Sequence, residues 1–302
     1  MEVVAGYPAL SEKYEVGGWS LPGHGVQYSD CGSLRFRGCL NVEGHHSLIS
    51  ERSGKAYVQA YHRSCNRKEC PVCYEKWASL AAARAEYRLL CFCTSKANAL
   101  EVFSIKDKEK QYRYIERAFR AARFKPIHVV FSVPANLYEL DITQLRPRLY
   151  KIAKKCGVYA GVAIFHPYRE TEVKSWEFSP HFHIVGFGWV RFVDVLYRKY
   201  GWIIKNLGLR KTVHGTILYQ LSHAGVHKEH HVLTWFGRLA YNQFKVPELP
   251  ESKPICPLCE SDLVELIWFG ELDRPPPDKE GDYFQDPDLW RMSISSWRNR
   301  FV

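Results

Sequence analysis

The pattern Cys-Pro-x-Cys occurs twice, as Cys70-Pro-Val-Cys73 and Cys256-Pro-Leu-Cys259. Each is a turn that aims two thiolates at one point, and a pair of converging thiolates restrains a chain before any core does. Ten cysteines leave disulfides and metal both open. The opening stretch MEVVAGYPALSEKYEVGG carries acids and lacks the apolar run of a secretory leader, so the thiols are expected in a reducing cytoplasm as zinc ligands. Cys65 extends the first pair to Cys-x4-Cys-x2-Cys, three of the four ligands of a closed tetrahedral site. Cys39 is the preferred fourth, with His62 and Cys31 as competitors. Cys256 and Cys259 form a second knuckle that needs two partners, for which Cys31, Cys39, Cys91 and Cys93 are candidates. The default role of such zinc is scaffolding, and the sharper alternative is DNA contact through Arg63, Arg67 and Lys68. Cys156 reads as an ordinary buried thiol.

The second constraint is SPHFHIVGFG, Ser179 to Gly188. Side chains alternate faces along a strand, so His181 and His183 point one way and Phe182 the other. Ile184, Val185 and Phe187 favour a strand, and Pro180 is tolerated at its start. Two imidazoles roughly 7 Å apart on one face can converge on one ion. The plainer reading is a half-buried strand with two hydrogen-bonded histidines. A third ligand is sought at His166, which ends GVAIFHP, a strand expected to pair antiparallel with the first through a loop at 168–180. Glu177, expected in that loop, is its competitor.

Around these strands the chain alternates elements. Helices are expected at 75–90, 106–125, 141–156 and 211–225. The third has Asp141 as N-cap and Pro147 as an interruption; the fourth ends at Gly225. Strands are expected at 126–134, 157–167 and 179–188, and a short helix then a strand within 191–208. This order predicts an α+β fold, an antiparallel sheet with helices on one face plus zinc-binding segments. Three consecutive regions are drawn: a zinc-binding segment and helix over 1–100, a central domain over 101–245, and a tail with the second knuckle over 246–302. Pro/Asp-rich 271–290 reads as loop. There is no run of 18 apolar residues, so no membrane span or membrane partner is expected. There is also no Gly-x4-Gly-Lys-Ser/Thr loop for ATP.

Lys and Arg number 42 against 32 Asp and Glu, a net charge of +10, which favours a polyanionic partner. The segment 106–125 interleaves its cations with Tyr112, Tyr114, Phe119 and Phe124. It reads as the solvated face of an amphipathic helix or as a phosphate-contacting one. On such a protein a metal would polarise a phosphoryl oxygen. Tyr219, with His223 one turn on, is then a candidate nucleophile, although 18 tyrosines and the neighbours Ile217, Leu218 and Leu221 equally suit a core aromatic.

HVVFSVP, IFHPYR, SPHFHIVGFG and YQLSHAGV…TWFGRLAYN, in this order after SCNRKECPVCYEKWA, resemble the motifs of HUH endonucleases. The resemblance spans roughly residues 60–245 and is closest to rolling-circle replication initiators (Rep) of archaeal plasmids and viruses. It implies an HUH/RRM-like nicking domain, a structural Zn2+, and a catalytic Mg2+ or Mn2+ held by His181, His183 and one upstream residue. It also implies a nucleophilic Tyr219 acting on single-stranded DNA at a replication origin, with host helicase and polymerase as partners. Many members carry Tyr-x-x-Lys where this chain has Tyr219-Gln-Leu-Ser-His223, which gives His223 the lysine's place. The upstream ligand, often an acid, is matched by His166. Rival expectations are a single-tyrosine HUH transposase or relaxase, a zinc hydrolase acting through water, and a non-catalytic zinc-dependent DNA-binding protein.

Overall fold

In the computed structural model, residues 18–45, 52–172, 175–209, 212–249, 253–271 and 274–293 are described, without the side chains of 171, 172 and 175. The first residues, read as lacking a secretory leader, lie largely outside them. The elements are β1 (Leu34–Cys39), β2 (Ala56–His62), α1 (Tyr74–Cys93), α2 (Lys96–Phe103), α3 (Lys108–Ala121), β3 (Ile127–Ser132), α4 (Ile142–Lys155), β4 (Val158–Glu172), β5 (Ser175–Gly188), α5 (Val193–Tyr200), β6 (Ile203–Asn206), α6 (Val213–Leu221), β7 (Leu233–Gly237), β8 (Val264–Trp268), β9 (Gly281–Gln285) and β10 (Trp290–Met292). The described residues thus form a mixed α+β protein with two antiparallel five-stranded sheets and six α-helices. None of these helices is long and apolar enough to cross a membrane.

The chain divides into two compact units, both discontinuous: Met1–Gln27 with Asn66–Leu249, and Tyr28–Cys65 with Pro250–Val302. Each unit draws on stretches that are far apart in the sequence. A strand's partners are chosen by register and apolar face, whatever their distance along the chain.

The larger unit is built on the sheet β6-β3-β5-β4-β7. Its central strands are buried on both faces, so their apolar residues do not alternate with polar ones. Phe182 and Ile184 of β5 join Phe131 and Phe165 in a core with Leu145, Leu149 and Ile152 of α4 and Leu196 of α5. Val185 and Phe187 face the opposite way, into a core with Ala82, Leu89 and Leu90 of α1 and Ile217 and Leu221 of α6. The expectation of helices on one face is corrected: both faces are covered. Each fully buried Phe or Ile on either side contributes about 1.5–3 kcal/mol by leaving water.

Two further expectations change. Residues 168–180 form no long loop. β4 and β5 extend into a hairpin through Glu170↔Trp176, and Glu177 lies within β5 opposite Arg169. The register shifts between His166 and Tyr168, where Pro167 and Pro180 lie, so their missing N–H groups fall where the ladder is already broken. Pro147 does not interrupt α4. The carbonyl it leaves unpaired belongs to exposed Thr143, where water can serve it, and the apolar stripe Ile142, Leu145, Leu149, Ile152 is unbroken. Asp141 caps this helix as expected, in a capping box with Gln144. α3 buries Ile115 and Phe119 and turns its charges outward, the amphipathic reading.

The smaller unit is the sheet β10-β8-β1-β2-β9. Among the described residues it has two small buried clusters: Ala56, Val58, Leu266 and Trp290, with partly buried Phe36 and Tyr283 against them, and Cys39, Tyr57 and Cys256, with Leu258 and Phe284 against them.

Candidate metal centre

The strand period and the register together assemble the site. His181 and His183 occupy one face of β5, and His166 of β4 pairs directly with His181. All three rings are buried, and their nearest ligand nitrogens lie within 4.8 Å of one another. The ring centroids of His166 stand 4.4 Å from His183 and 5.1 Å from His181. Glu177 is on the same face as His181 but two side-chain repeats away, about 13 Å along the strand, and it is exposed. The grouping is therefore His166, His181 and His183, without Glu177.

The electrostatics match a cation site. Both ring nitrogens of His166 are buried and make no hydrogen bond; the Gln220 backbone is near but outside hydrogen-bond geometry. Native interiors rarely leave such atoms orphaned, because each costs about 1–3 kcal/mol. Burial, then the neighbouring His183, His223 and His181, holds the His166 imidazole well below its ordinary value. His183 is lowered in the same way, first by burial and then by His181 and His128. Burial takes His181 down to about 4; the Ser179 carbonyl opposes this and Arg169 adds to it. All three are thus neutral at physiological pH, with lone pairs available to a metal.

This has a measurable consequence in the metal-free protein. The unfolded chain binds a proton on each histidine near 6.5, whereas the folded chain refuses it. The stability is fully present above pH 6.5 and is lost as pH falls toward 4, by roughly 3 kcal/mol for His181 alone. Thermal unfolding of the chelated protein from pH 7.5 to 4.5 should show a falling midpoint, and His181→Phe should flatten the fall.

Polar side chains of the neighbouring strands border the triad. His128 of β3 lies diagonally across from His183, with His128 Nε2 and His183 Nδ1 2.8 Å apart. That hydrogen bond fixes which nitrogen of His183 turns toward the other two rings. Arg169 returns to this face after the bulge and donates to Ser132 Oγ at 3.1 Å.

Helix α6 brings the tyrosine. Val213, Ile217 and Leu221, with Thr216 and Gln220, form its buried stripe. Tyr219 falls off that stripe and is 42% exposed, so it is not a core aromatic. His223 follows the C-cap Ser222 and closes a run of rings: 4.8 Å from Tyr219 on one side and 4.5 Å from His166 on the other. The Gly225 N–H donates to the Phe165 carbonyl at 2.8 Å, which ties this turn to the residue before His166. A side chain at Gly225 would meet Pro167 Cδ at 2.6 Å and Trp19 Cε3 at 2.8 Å, so glycine is needed for the close approach.

The other end of α6 rests on Glu86 of α1, a residue that sequence reasoning missed. Its carboxyl accepts the His214 N–H at 2.9 Å. Burial lifts it to about 7, against the lowering effect of that hydrogen bond and with a further rise from Glu116. The folded state keeps a proton that the unfolded chain loses near 4.5, so this contribution declines as pH rises from 4.5 to 7. Glu86→Gln should therefore be more stable than the native chain at pH 8, by about 1–3 kcal/mol, with the difference gone at pH 5. Calorimetry at the two pH values checks it.

The cysteines regroup. Cys70 and Cys73 close the turn that opens α1 in the larger unit, whereas Cys31 and Cys65 belong to the smaller one. Cys39, preferred as fourth ligand beside Cys65, Cys70 and Cys73, lies instead with His45, Cys256 and Cys259. Cys39 ends β1 and is fixed there by pairing with Tyr57 of β2, which commits it to the second knuckle. His62 turns its Nδ1 to the Gly32 carbonyl at 2.8 Å. Cys91 is buried in α1's apolar core, and Cys156 is a C-cap thiol pushed by burial up to about 11. A further group that the sequence reading missed, His227, Glu229 and His230, is partly exposed beside Trp19. These sets can hold a metal such as zinc.

Comparison of the chain with models of known protein families, with curated proteins and with solved structures finds no match.

Proposed function

We propose that the chain is a rolling-circle replication initiator of the HUH endonuclease class, nicking and rejoining single-stranded DNA at a replication origin through Tyr219. The observation that carries this is the continuous run of rings from exposed Tyr219 through His223 to a buried three-histidine group with an orphaned member. The succession β3-α4-β4-β5-α5-β6, with β5 between β3 and β4, supports an RRM-like nicking domain as the scaffold. The motif resemblance supplies the DNA substrate and the origin, and the net charge of +10 agrees with a polyanion.

His166, His181 and His183 would hold the divalent ion. When bound, it supplies positive charge to a non-bridging phosphate oxygen. The chain's own residues do the rest. Tyr219 Oη attacks phosphorus and forms a Tyr–O–P bond. The P–O3′ bond breaks, and the 3′ oxygen leaves as a hydroxyl once protonated. His223, beside the phenol ring, takes the proton that Tyr219 gives up and can return it. The 5′ end stays on Tyr219 as a phosphodiester, so a 3′ hydroxyl can reverse the exchange without ATP. Arg169 adds positive charge beside the phosphate. Zn2+ at the cysteine groups is structural, and a host helicase and polymerase act on the nicked origin in the cytoplasm of the host cell.

An all-imidazole donor set favours manganese or zinc over magnesium, which keeps one second reading: a hydrolase acting through water. Incubating the protein with 5′- and 3′-labelled single-stranded origin DNA, with manganese and with EDTA, separates the two. The proposal expects a metal-dependent, SDS-resistant adduct carrying the DNA 3′ of the nick. Cleavage without an adduct would support the hydrolase. Binding without cleavage across several origin segments would support a non-catalytic zinc-dependent DNA-binding protein.

A further inference from the structure

We infer that Cys39, His45, Cys256 and Cys259 form a second zinc site, a closed three-thiolate, one-imidazole centre that holds the smaller unit together. It does not depend on the nicking reading. All four residues belong to this unit, and Cys39, His45 and Cys256 are buried.

The distances are those of a tetrahedron waiting for its centre. Zinc at 2.3 Å from sulfur and 2.0–2.1 Å from nitrogen implies ligand-to-ligand edges of about 3.5–3.8 Å. Cys39 Sγ and Cys259 Sγ are 3.6 Å apart, and Cys256 Sγ and His45 Nε2 are 3.4 Å apart. The sulfur pair is far too long for a disulfide bond of about 2.05 Å. All four ligand atoms lie within 4.8 Å of one another.

The surroundings orient the ligands as a zinc site requires. His45 Nδ1 is 2.7 Å from the Lys55 carbonyl. A carbonyl only accepts, so Nδ1 carries the proton and Nε2 turns its lone pair toward Cys256. The Cys256–Cys259 turn is a built knuckle. The Leu258 N–H points at Cys256 Sγ at 3.5 Å, the Glu260 N–H donates to the Cys256 carbonyl at 2.9 Å, and the Cys256 N–H donates to the Ser261 carbonyl at 2.8 Å. Glu260 follows with φ of +59°, a left-handed conformation that a non-glycine residue adopts only where its surroundings require it. A pair of ordinary core thiols needs neither the N–H donated to sulfur nor this turn.

The site also answers a need of the fold. The unit is assembled from two stretches of chain, and its Cys39–Cys259 pair is 220 residues apart in sequence. Among the described residues its buried apolar clusters are small, four residues in one and Cys39, Tyr57 and Cys256 in the other, so two of the proposed ligands are themselves part of the second. An ion bound by both stretches offsets the loop-closure entropy that so small a core covers poorly, and its binding free energy then becomes folding free energy.

The test is made on the full chain, purified without chelator, by elemental analysis and by cobalt substitution, with no DNA present. Cys256→Ser with Cys259→Ser should lose one zinc per chain relative to the native protein. Cys70→Ser with Cys73→Ser should leave that zinc in place. His45→Cys keeps four ligands and serves if the double serine variant does not fold. Its cobalt form should show shifted d–d bands and stronger sulfur-to-cobalt absorption, from four thiolates in place of three at this site. Unchanged zinc content in the double serine variant, or an unshifted cobalt spectrum in His45→Cys, would overturn the site. Failure of DNA cleavage would not bear on it.

Discussion

The Tyr219→Phe chain should bind single-stranded origin DNA as the native chain does and cleave it roughly a thousandfold more slowly or worse, with no covalent adduct. The substitution removes one oxygen from a ring that is 42% exposed and off the buried stripe of α6, so the unfolding temperature should stay within about 1 °C of native. A nucleophile and a packing aromatic differ in this pair of readouts. Loss of cleavage with intact binding and stability belongs to the nucleophile. His223→Ala should behave differently: the adduct should still form, but about 10–1,000-fold more slowly, with a pH profile that loses its acid limb. Cleavage retained in Tyr219→Phe would assign the attack to another group.

The second large effect belongs to His166. Its two orphaned ring nitrogens cost free energy in the metal-free protein. His166→Leu should therefore leave the chelated chain as stable as native, or more stable by about 1 kcal/mol. The same variant should lose the stabilisation that manganese gives the native chain, and metal-dependent cleavage should fall at least about a hundredfold. Thermal unfolding with EDTA and with manganese, followed by the cleavage assay, measures both. A merely structural histidine would give the reverse: lower stability in EDTA and an unchanged response to metal.

Much of this site could be read from the chain because strand periodicity is local. The two-residue repeat in His181-Phe-His183 fixes a shared face, and the hairpin delivers His166 to it. The neighbours Ile217, Leu218 and Leu221 left Tyr219 open between core and surface, and the packed α6, with Val213, Ile217 and Leu221 buried, decides for the surface. What was illegible depended on long-range pairing. His128 looks like any lone histidine in an apolar strand, and only the β3–β5 register brings it to His183. Glu86 looks like a solvated helix charge until α6 is laid against α1. The partition of the cysteines was hidden for the same reason, since Cys39 and Cys259 meet only when β1 and β8 pair. Pro147 and the stretch 168–180 show local rules yielding to context. An exposed carbonyl tolerates a helical proline, and a bulge absorbs two prolines inside a hairpin.

The most direct measurement is tandem mass spectrometry of the protein after reaction with origin DNA and manganese, followed by nuclease and protease digestion. The account predicts one peptide carrying a nucleotide phosphate on Tyr219, absent with EDTA. Nicked DNA with a free 5′ phosphate and an unmodified Tyr219 peptide would contradict it.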